Sequence, residues 1–164
     1  MTDQKHVGEI AGTGWNPGQY HRFSDHRLRP ALELLGRIPM GSPNLVYDLG
    51  CGTGNVTQVI ADRWPEATVI GIDNSAEMLE KARGQSESIE WREADIRQWS
   101  PDTACDVIYS NAALHWLEDH DTLFPRLAGD VRKGGVLAVQ MPLNWDAPSH
   151  QLMRDTLEDE AEDG

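Results

Sequence analysis

Short apolar runs and runs with helical spacing alternate along the chain. Short apolar runs at residues 45–49, 68–72, 107–109 and 136–140, together with a weaker segment at 89–92, predict five strands. In the segments between them, apolar residues recur every three or four positions, which predicts helices. Because strands separated by helices are joined by right-handed crossovers, the pattern predicts an α/β fold with a doubly wound parallel sheet.

The predicted helices have recognisable boundaries. Pro30 opens the first helix, and Pro65 stops the second. Ser75 is placed as an N-cap for the third. A turn at residues 133–135 leads into the last strand. The predicted helices cover residues 30–38, 56–64, 76–83, a part of 117–131, and 149–159.

Length and charge narrow the class of protein. The 164 residues fit one domain, which we place at residues 15–157, after a disordered segment at 1–14 and before an acidic tail at 158–164. The formal net charge of −13 argues against a nucleic-acid partner. Two cysteines suggest no disulfide framework, and no stretch has the length of a membrane span. These features predict a cytoplasmic protein with no membrane partner.

The segment 46–54, Val-Tyr-Asp-Leu-Gly-Cys-Gly-Thr-Gly, carries the most specific chemistry. Gly50, Gly52 and Gly54 leave the turn without side chains, so that a flat ligand can lie against the backbone. Dinucleotide sites use the spacing G-x-G-x-x-G to present a helix N-terminus to a pyrophosphate. The G-x-G-x-G spacing here therefore disfavours an NAD enzyme. With Asp48 at the strand end, it favours S-adenosylmethionine, which carries a sulfonium cation and no phosphate.

Two further acids follow the second and third strands. Asp73 is placed to accept both hydroxyls of a ribose, and Asp95 to accept the exocyclic amine of an adenine. Ile96 and Met78 would form an apolar slot for the adenine ring. An alternative remains open, in which Asp73 only caps the following helix and Asp95 lies in an ordinary loop.

These motifs, Asp48-Leu-Gly-Cys-Gly-Thr-Gly, Gly71-Ile-Asp73 and Glu93-Ala-Asp95-Ile96, resemble the class I S-adenosylmethionine-dependent methyltransferases. Within that family, the resemblance is closest to the enzymes that methylate trans-aconitate, and it covers residues 15–157. It depends on these segments outside the glycine loop: Trp15-Asn16-Pro17 with Tyr20, the run from Arg29, the run Asn111-Ala-Ala-Leu-His-Trp116-Leu, and Val139-Gln-Met-Pro142 with Asn144-Trp145.

The resemblance implies a Rossmann-like sheet and a site for S-adenosylmethionine. Asn111 would flank the reacting methyl group, and Tyr20 and Arg29 would close the site and contact the methionine carboxylate. For Arg29, an interpretation as a solvated surface cation is equally open. The implied cofactor residues are Tyr20, Arg29, Asp48, Gly50, Cys51, Gly52, Gly54, Asp73, Asn74, Met78, Asp95, Ile96 and Asn111.

The implied reaction transfers a methyl group to a carboxylate of a small acid. A carboxylate is ionised at neutral pH, so it needs no general base, and we nominate no catalytic residue and no metal site. Candidate substrate contacts are His115, Trp116 and Trp145, although a packed or surface histidine is the more ordinary interpretation of His115. Another carboxylate, such as a carrier-bound malonyl group, is an alternative acceptor.

The sequence departs from the family pattern at its end. Family members continue after strand five with an antiparallel hairpin and a segment that shapes the acceptor pocket, whereas this sequence ends after strand five and one predicted helix. The fold is therefore predicted to be truncated after strand five, with an exposed edge that favours self-association. A non-catalytic module that binds S-adenosylmethionine or a partner is the alternative function.

Overall fold

A computed structural model describes residues 28–142 as one parallel sheet with helices on both faces. The strand order is β3-β2-β1-β4-β5, and every neighbouring pair is parallel. The predicted doubly wound α/β fold is thereby confirmed. The strands are β1 (Leu45–Leu49), β2 (Thr68–Asp73), β3 (Glu90–Glu93), β4 (Cys105–Asn111) and β5 (Val131–Gln140); the helices are α1 (Arg29–Gly36), α2 (Asn55–Arg63), α3 (Ala76–Arg83) and α4 (His120–Asp130).

Most predicted elements lie within one or two residues of their observed bounds. β1 and α3 match the prediction at both ends, and Ser75 caps α3 by accepting a hydrogen bond from the amide of Met78 at 3.3 Å. β4 is longer than predicted by two residues at each end because Cys105, Ser110 and Asn111 also pair with β5. A short 3-10 turn, Leu114–Trp116, precedes α4.

The prediction of a turn before the last strand was wrong in one respect. β5 already begins at Val131, and residues 132–135 bulge out of it, because Cys105 pairs with Val131 while Val107 pairs with Val136. Gly134 takes a positive φ of 81° in the bulge. At Gly135 a Cβ atom would lie 2.6 Å from the carbonyl oxygen of Asp106, so that only glycine fits.

Two apolar cores cover the two faces of the sheet. Alternate strand residues point to opposite faces, so Val46 joins the core beneath α1 and α2, whereas Tyr47 joins the core on the other face with residues of α4. Both cores centre on β1 and β4, the middle of the sheet. The carboxyl ends of these strands are therefore fixed by burial on both faces.

Several predictions lie outside the described residues. They are the disordered segment 1–14, the helix 149–159, the acidic tail, and the residues Tyr20 and Trp145. Within residues 28–142, no helix is both long and apolar enough to cross a membrane.

Candidate functional site

The candidate site lies where the strand order reverses, at the carboxyl ends of β1, β2 and β4. Asp48 on β1 is level with Gly71 on β2 and Tyr109 on β4, so all three strands end at one edge of the sheet. The amides of Gly50 and Cys51 both donate to the carbonyl oxygen of Ile72, at 2.8 and 3.0 Å, which fastens the glycine loop to the end of β2. Ligands of doubly wound sheets bind at this position.

The three positions of the loop require glycine for different structural reasons. At Gly50, with a φ of 74°, a Cβ atom would lie 2.2 Å from the Cβ of Ala113. At Gly54, a Cβ would lie 2.4 Å from the ring of Trp91. Only at Gly52, with a φ of 55°, does a Cβ point into open space. Gly52 therefore leaves open space above the loop, whereas Gly50 and Gly54 make room for the protein's own side chains; contact of these glycines with a ligand stays a prediction.

Asp73 connects the glycine loop to the start of α3. Its Oδ2 atom accepts the amide of Gly52 at 2.8 Å, and its Oδ1 atom accepts the amide of Ser75 at 2.9 Å. The side chain that caps α3 is Ser75 rather than Asp73. Each carboxylate oxygen of the half-buried Asp73 keeps a further lone pair for a ligand hydroxyl.

Asp48 is buried, with 2% of its surface exposed, and it accepts a hydrogen bond from the hydroxyl of Thr57 on α2 at 2.7 Å. Burial is the main cause that raises the pKa of this carboxyl to about 7; the Thr57 hydrogen bond opposes the rise, and the charge of Asp73 contributes to it. The contact that the structure shows for Asp48 therefore joins β1 to α2. Its predicted contact with a ligand amine stays a prediction.

Asp95 lies just beyond β3 and is bound by Arg97. The guanidinium of Arg97 contacts both carboxylate oxygens, and this interaction holds the pKa of Asp95 below its usual value. The next residue, Ile96, is half-buried, and its Cδ1 atom lies 4.0 Å from where a Cβ of Gly50 would be. The structure thus brings Ile96 next to the glycine loop.

The turn after β4 forms the opposite wall. The Oδ1 atom of Asn111 is buried and accepts no hydrogen bond from any part of the chain between residues 28 and 142. Ala112 has a φ of 52°, which a residue with a Cβ rarely adopts, and its amide donates to the carbonyl of Gln140 at 2.9 Å. Because Ala113 then packs on Gly50, this turn holds a buried, unused acceptor beside the glycine loop.

The remaining predicted cofactor residues lie in different surroundings. Arg29 is largely exposed and pairs with Glu33 at 2.7 Å, which favours the interpretation as a surface cation. Met78 on α3 is 38% exposed, and Asn74 is exposed. Cys51 is buried, and burial strongly raises the pKa of its thiol.

The two predicted substrate residues that the structure describes are neighbours. The rings of His115 and Trp116 have centroids 4.6 Å apart. His115 is half-buried, whereas Trp116 is 77% exposed. Trp116 thus presents a large apolar surface just beyond the turn that follows β4.

Sequence reasoning missed four residues that shape the site. Ala113 and Trp91 fill the space left by two glycines, Thr57 binds Asp48, and Arg97 binds Asp95. Of these four contacts, the sequence indicated only that of Arg97, which lies two residues after Asp95. In residues 28–142, no group of three or more His, Cys, Asp or Glu side chains is arranged to hold a metal ion.

Comparisons with known proteins agree with this arrangement. A family model described as a methyltransferase domain matches residues 46–135. Trans-aconitate 2-methyltransferase of Azoarcus sp. is 51% identical over 142 residues, which are 87% of this chain and 56% of that protein. The protein of the same name from Methylobacterium radiotolerans is 55% identical over 140 residues, 85% of this chain and 54% of that protein. The chain spans about half the length of these curated relatives.

Solved structures show the same fold. An S-adenosylmethionine-dependent methyltransferase from Mesorhizobium loti aligns with a TM-score of 0.61 at 30% identity, over 73% of this chain and 55% of that one. Coclaurine N-methyltransferase aligns with a TM-score of 0.64 at 21% identity, over 70% of this chain and 35% of that one. The family match includes the glycine loop and the ends of β1, β2, β3 and β4, and the chain therefore belongs to the methyltransferase domain family.

Proposed function

We propose that this chain binds S-adenosylmethionine at the glycine loop and serves the transfer of a methyl group to a carboxylate of a small acid, with trans-aconitate as the first candidate. The observation that carries the proposal is identity of 51% and 55%, over 85% or more of this chain, to two proteins named trans-aconitate 2-methyltransferase. This identity extends well beyond the 46–135 segment that the methyltransferase model covers.

The described residues fit this cofactor. Asp73 and Asp95 offer carboxylate oxygens at the ends of β2 and β3, and the backbone at Gly52 is open. The buried Oδ1 atom of Asn111 lacks a donor in the structure, and a ligand would provide one. Acceptors dominate this edge of the sheet, which suits a ligand with hydroxyls, an amine and a positive charge.

Each residue has a separate proposed role. Asp73 would hold the ribose hydroxyls, Asp95 the adenine amine, and Asn111 the region of the reacting methyl group. When bound, S-adenosylmethionine supplies a methyl group that its sulfonium makes electrophilic. The substrate carboxylate is ionised at neutral pH, so the chain needs only to align it and to exclude water from it. Tyr20 would close the site, and Arg29 would do so only by leaving its ion pair with Glu33.

Substrate contact is proposed for His115, Trp116 and Trp145. The exposed ring of Trp116 provides an apolar surface against which the methyl acceptor would pack. We also propose the cytoplasm as the compartment, because Cys51 and Cys105 are both buried free thiols.

Methyl transfer tests the function directly. The experiment incubates radiolabelled S-adenosylmethionine with trans-aconitate and either this chain or this chain extended beyond Gly164 by the C-terminal region of the Azoarcus relative. We expect a labelled methyl ester from the extended chain. No ester from the extended chain, once it is shown to be folded, contradicts the proposal. Competition with a carrier-bound malonyl group distinguishes the two carboxylate acceptors.

A non-catalytic binding module is the second candidate. The observation in its favour is that the glycine loop and its acids, which binding without turnover would need, are all present. Calorimetry with S-adenosylhomocysteine separates the candidates: binding without turnover supports the module, and absence of binding contradicts both. Tight binding of NADH would instead favour a dinucleotide enzyme.

A further inference from the structure

The contacts of Asp95 suggest a role for Arg97, and this inference rests on the proposed binding of an adenosyl ligand. The amide of Arg97 donates to Oδ1 of Asp95 at 2.9 Å. The Nε atom of Arg97 lies 3.0 Å from both carboxylate oxygens, and its Nη2 atom lies 2.5 Å from Oδ2. A carboxylate has about four lone-pair directions. Arg97 therefore occupies most of the acceptor capacity that an adenine amine would need.

The guanidinium of Arg97 is not needed to hold Asp95 in place. The amides of Gln98 and Trp99 donate to the carbonyl oxygen of Asp95 at 3.0 and 2.8 Å, and the amide of Arg97 itself orients the carboxylate. From α4, Arg126 donates through Nη2 to the carbonyl of Ile96 at 2.6 Å and also to the carbonyl of Trp99. Removal of the Arg97 side chain would leave these backbone contacts intact.

The ion pair is also placed where it can open. The side chain of Arg97 is 68% exposed, whereas that of Asp95 is 29% exposed. Exposed ion pairs contribute little free energy, so a ligand donor can displace such a guanidinium at a small cost. A base that carries an oxo group in place of the amine would bind to the other member of this pair. Asp95 would repel the oxo group, whereas Arg97 would donate a hydrogen bond to it.

We propose that Arg97 is a specificity-determining residue of the adenosyl site: it competes with the exocyclic amine of adenine for Asp95 and favours a 6-oxo base. Adenine binding displaces the guanidinium from one carboxylate oxygen. Arg97 therefore lowers the affinity for the adenosyl ligand and reduces the discrimination between adenine and hypoxanthine.

The test measures, by calorimetry, the binding of S-adenosylhomocysteine and S-inosylhomocysteine to the wild-type chain and to Arg97→Met, which keeps the aliphatic stem. We expect Arg97→Met to bind the adenosyl ligand about two- to fivefold more tightly, and the inosyl ligand more weakly by a similar factor. Arg92→Met is the matched control, because Arg92 forms an ion pair of the same spacing with Glu90 at 2.6 Å. It should leave both affinities unchanged.

Unchanged or weaker adenosyl binding by a folded Arg97→Met overturns the proposal, and so does a parallel change for both ligands. Asp95→Ala separates this failure from that of the proposed function. If the wild-type chain binds the adenosyl ligand and Asp95→Ala weakens that binding, while Arg97→Met does not tighten it, only the role of Arg97 fails. If the wild-type chain binds neither ligand, the proposed function fails and the role of Arg97 fails with it.

Discussion

Asp48 is a buried acid whose charge state depends on pH in the physiological range. Its pKa is about 7 in the folded chain, chiefly because of burial, and it lies near 3.8 for a solvated carboxyl. At a pH between these two pKa values, Asp48 is protonated in the native state and ionised in the unfolded state. The free energy of unfolding therefore falls as the pH rises from about 4 to about 7, and at higher pH this group causes no further change.

Asp48→Asn should remove this dependence while keeping the hydrogen bond from Thr57. We expect the variant to gain stability relative to the wild type as the pH rises, by on the order of 2–4 kcal/mol between pH 4 and pH 8. Urea denaturation at several pH values measures the difference. A difference in stability between Asp48→Asn and the wild type that does not change with pH would contradict the raised pKa of Asp48.

The glycine loop allows a contrast between two neighbouring positions. Gly50→Ala places a Cβ 2.2 Å from that of Ala113, so we expect a loss of roughly 2 kcal/mol or more in the free energy of unfolding. Gly52→Ala meets open space and should cost only about 1–2 kcal/mol for its left-handed backbone, but it should weaken S-adenosylhomocysteine binding at least tenfold.

Thermal denaturation and calorimetry distinguish the two glycine variants. The double variant Gly50→Ala, Ala113→Gly removes the contact between the two Cβ atoms and should recover part of the lost stability. If Gly52→Ala bound the ligand normally, the ligand would not lie against this part of the backbone.

An arginine side chain of α2 is bound to the end of helix α1. Arg63 is buried and donates from its two terminal nitrogens to the carbonyls of Leu35 and Ile38, at the end of α1. Its guanidinium lies 4.4 Å from the ring centroid of Trp64, and burial lowers its pKa to about 10. The carbonyls of Leu35 and Ile38 also accept the backbone amides of Ile38 and Met40, so Arg63 adds a second, charged donor to each.

Arg63→Met should destabilise the chain by about 2–4 kcal/mol, because two buried hydrogen bonds from a charged donor to the carbonyls of Leu35 and Ile38 would be lost. Arg63→Lys should recover only part of this loss, since an ammonium is a single compact donor centre and lacks the fork of the guanidinium. Urea denaturation provides the measurement, with Arg37→Met at the exposed end of α1 as the control. Equal stability of Arg63→Met and Arg37→Met would refute this role.

At the scale of the whole molecule, the two edges of the sheet differ. β3 has four residues and is polar, whereas β5 has ten residues and includes the apolar run Val136–Val139. In residues 28–142, β5 pairs with β4 alone. A long apolar edge favours pairing with another strand. Self-association through β5 is therefore a prediction for this chain.

Sedimentation velocity over a range of concentrations tests the β5 edge. We expect the wild-type chain to associate as its concentration rises and Val139→Lys to associate at least several-fold more weakly, because a lysine at an edge opposes strand pairing. Thr103→Lys adds the same charge at an exposed position outside the sheet and serves as the control. A wild-type chain that stays monomeric at all concentrations would contradict the prediction.

The elements and the family could be predicted from the sequence because their signals are local. Apolar runs and capping residues place β1, α2 and α3 nearly to the residue, and the glycine loop with Asp73 and Asp95 indicates the site. β5 was the exception: the pair Gly134-Gly135 is typical of a turn, but pairing with β4 extends the strand across it as a bulge.

The sequence by itself determined which segments form strands and which acids follow them, since periodicity and turn residues act over a few positions. Only the tertiary structure decided what each site residue contacts. Gly50 meets Ala113, Asp48 meets Thr57 in a buried position, and Asn111 is left with an unused acceptor. The first two contacts join segments that are brought together by folding, and burial changes the cost of charge and of unpaired polar atoms, which no local pattern records.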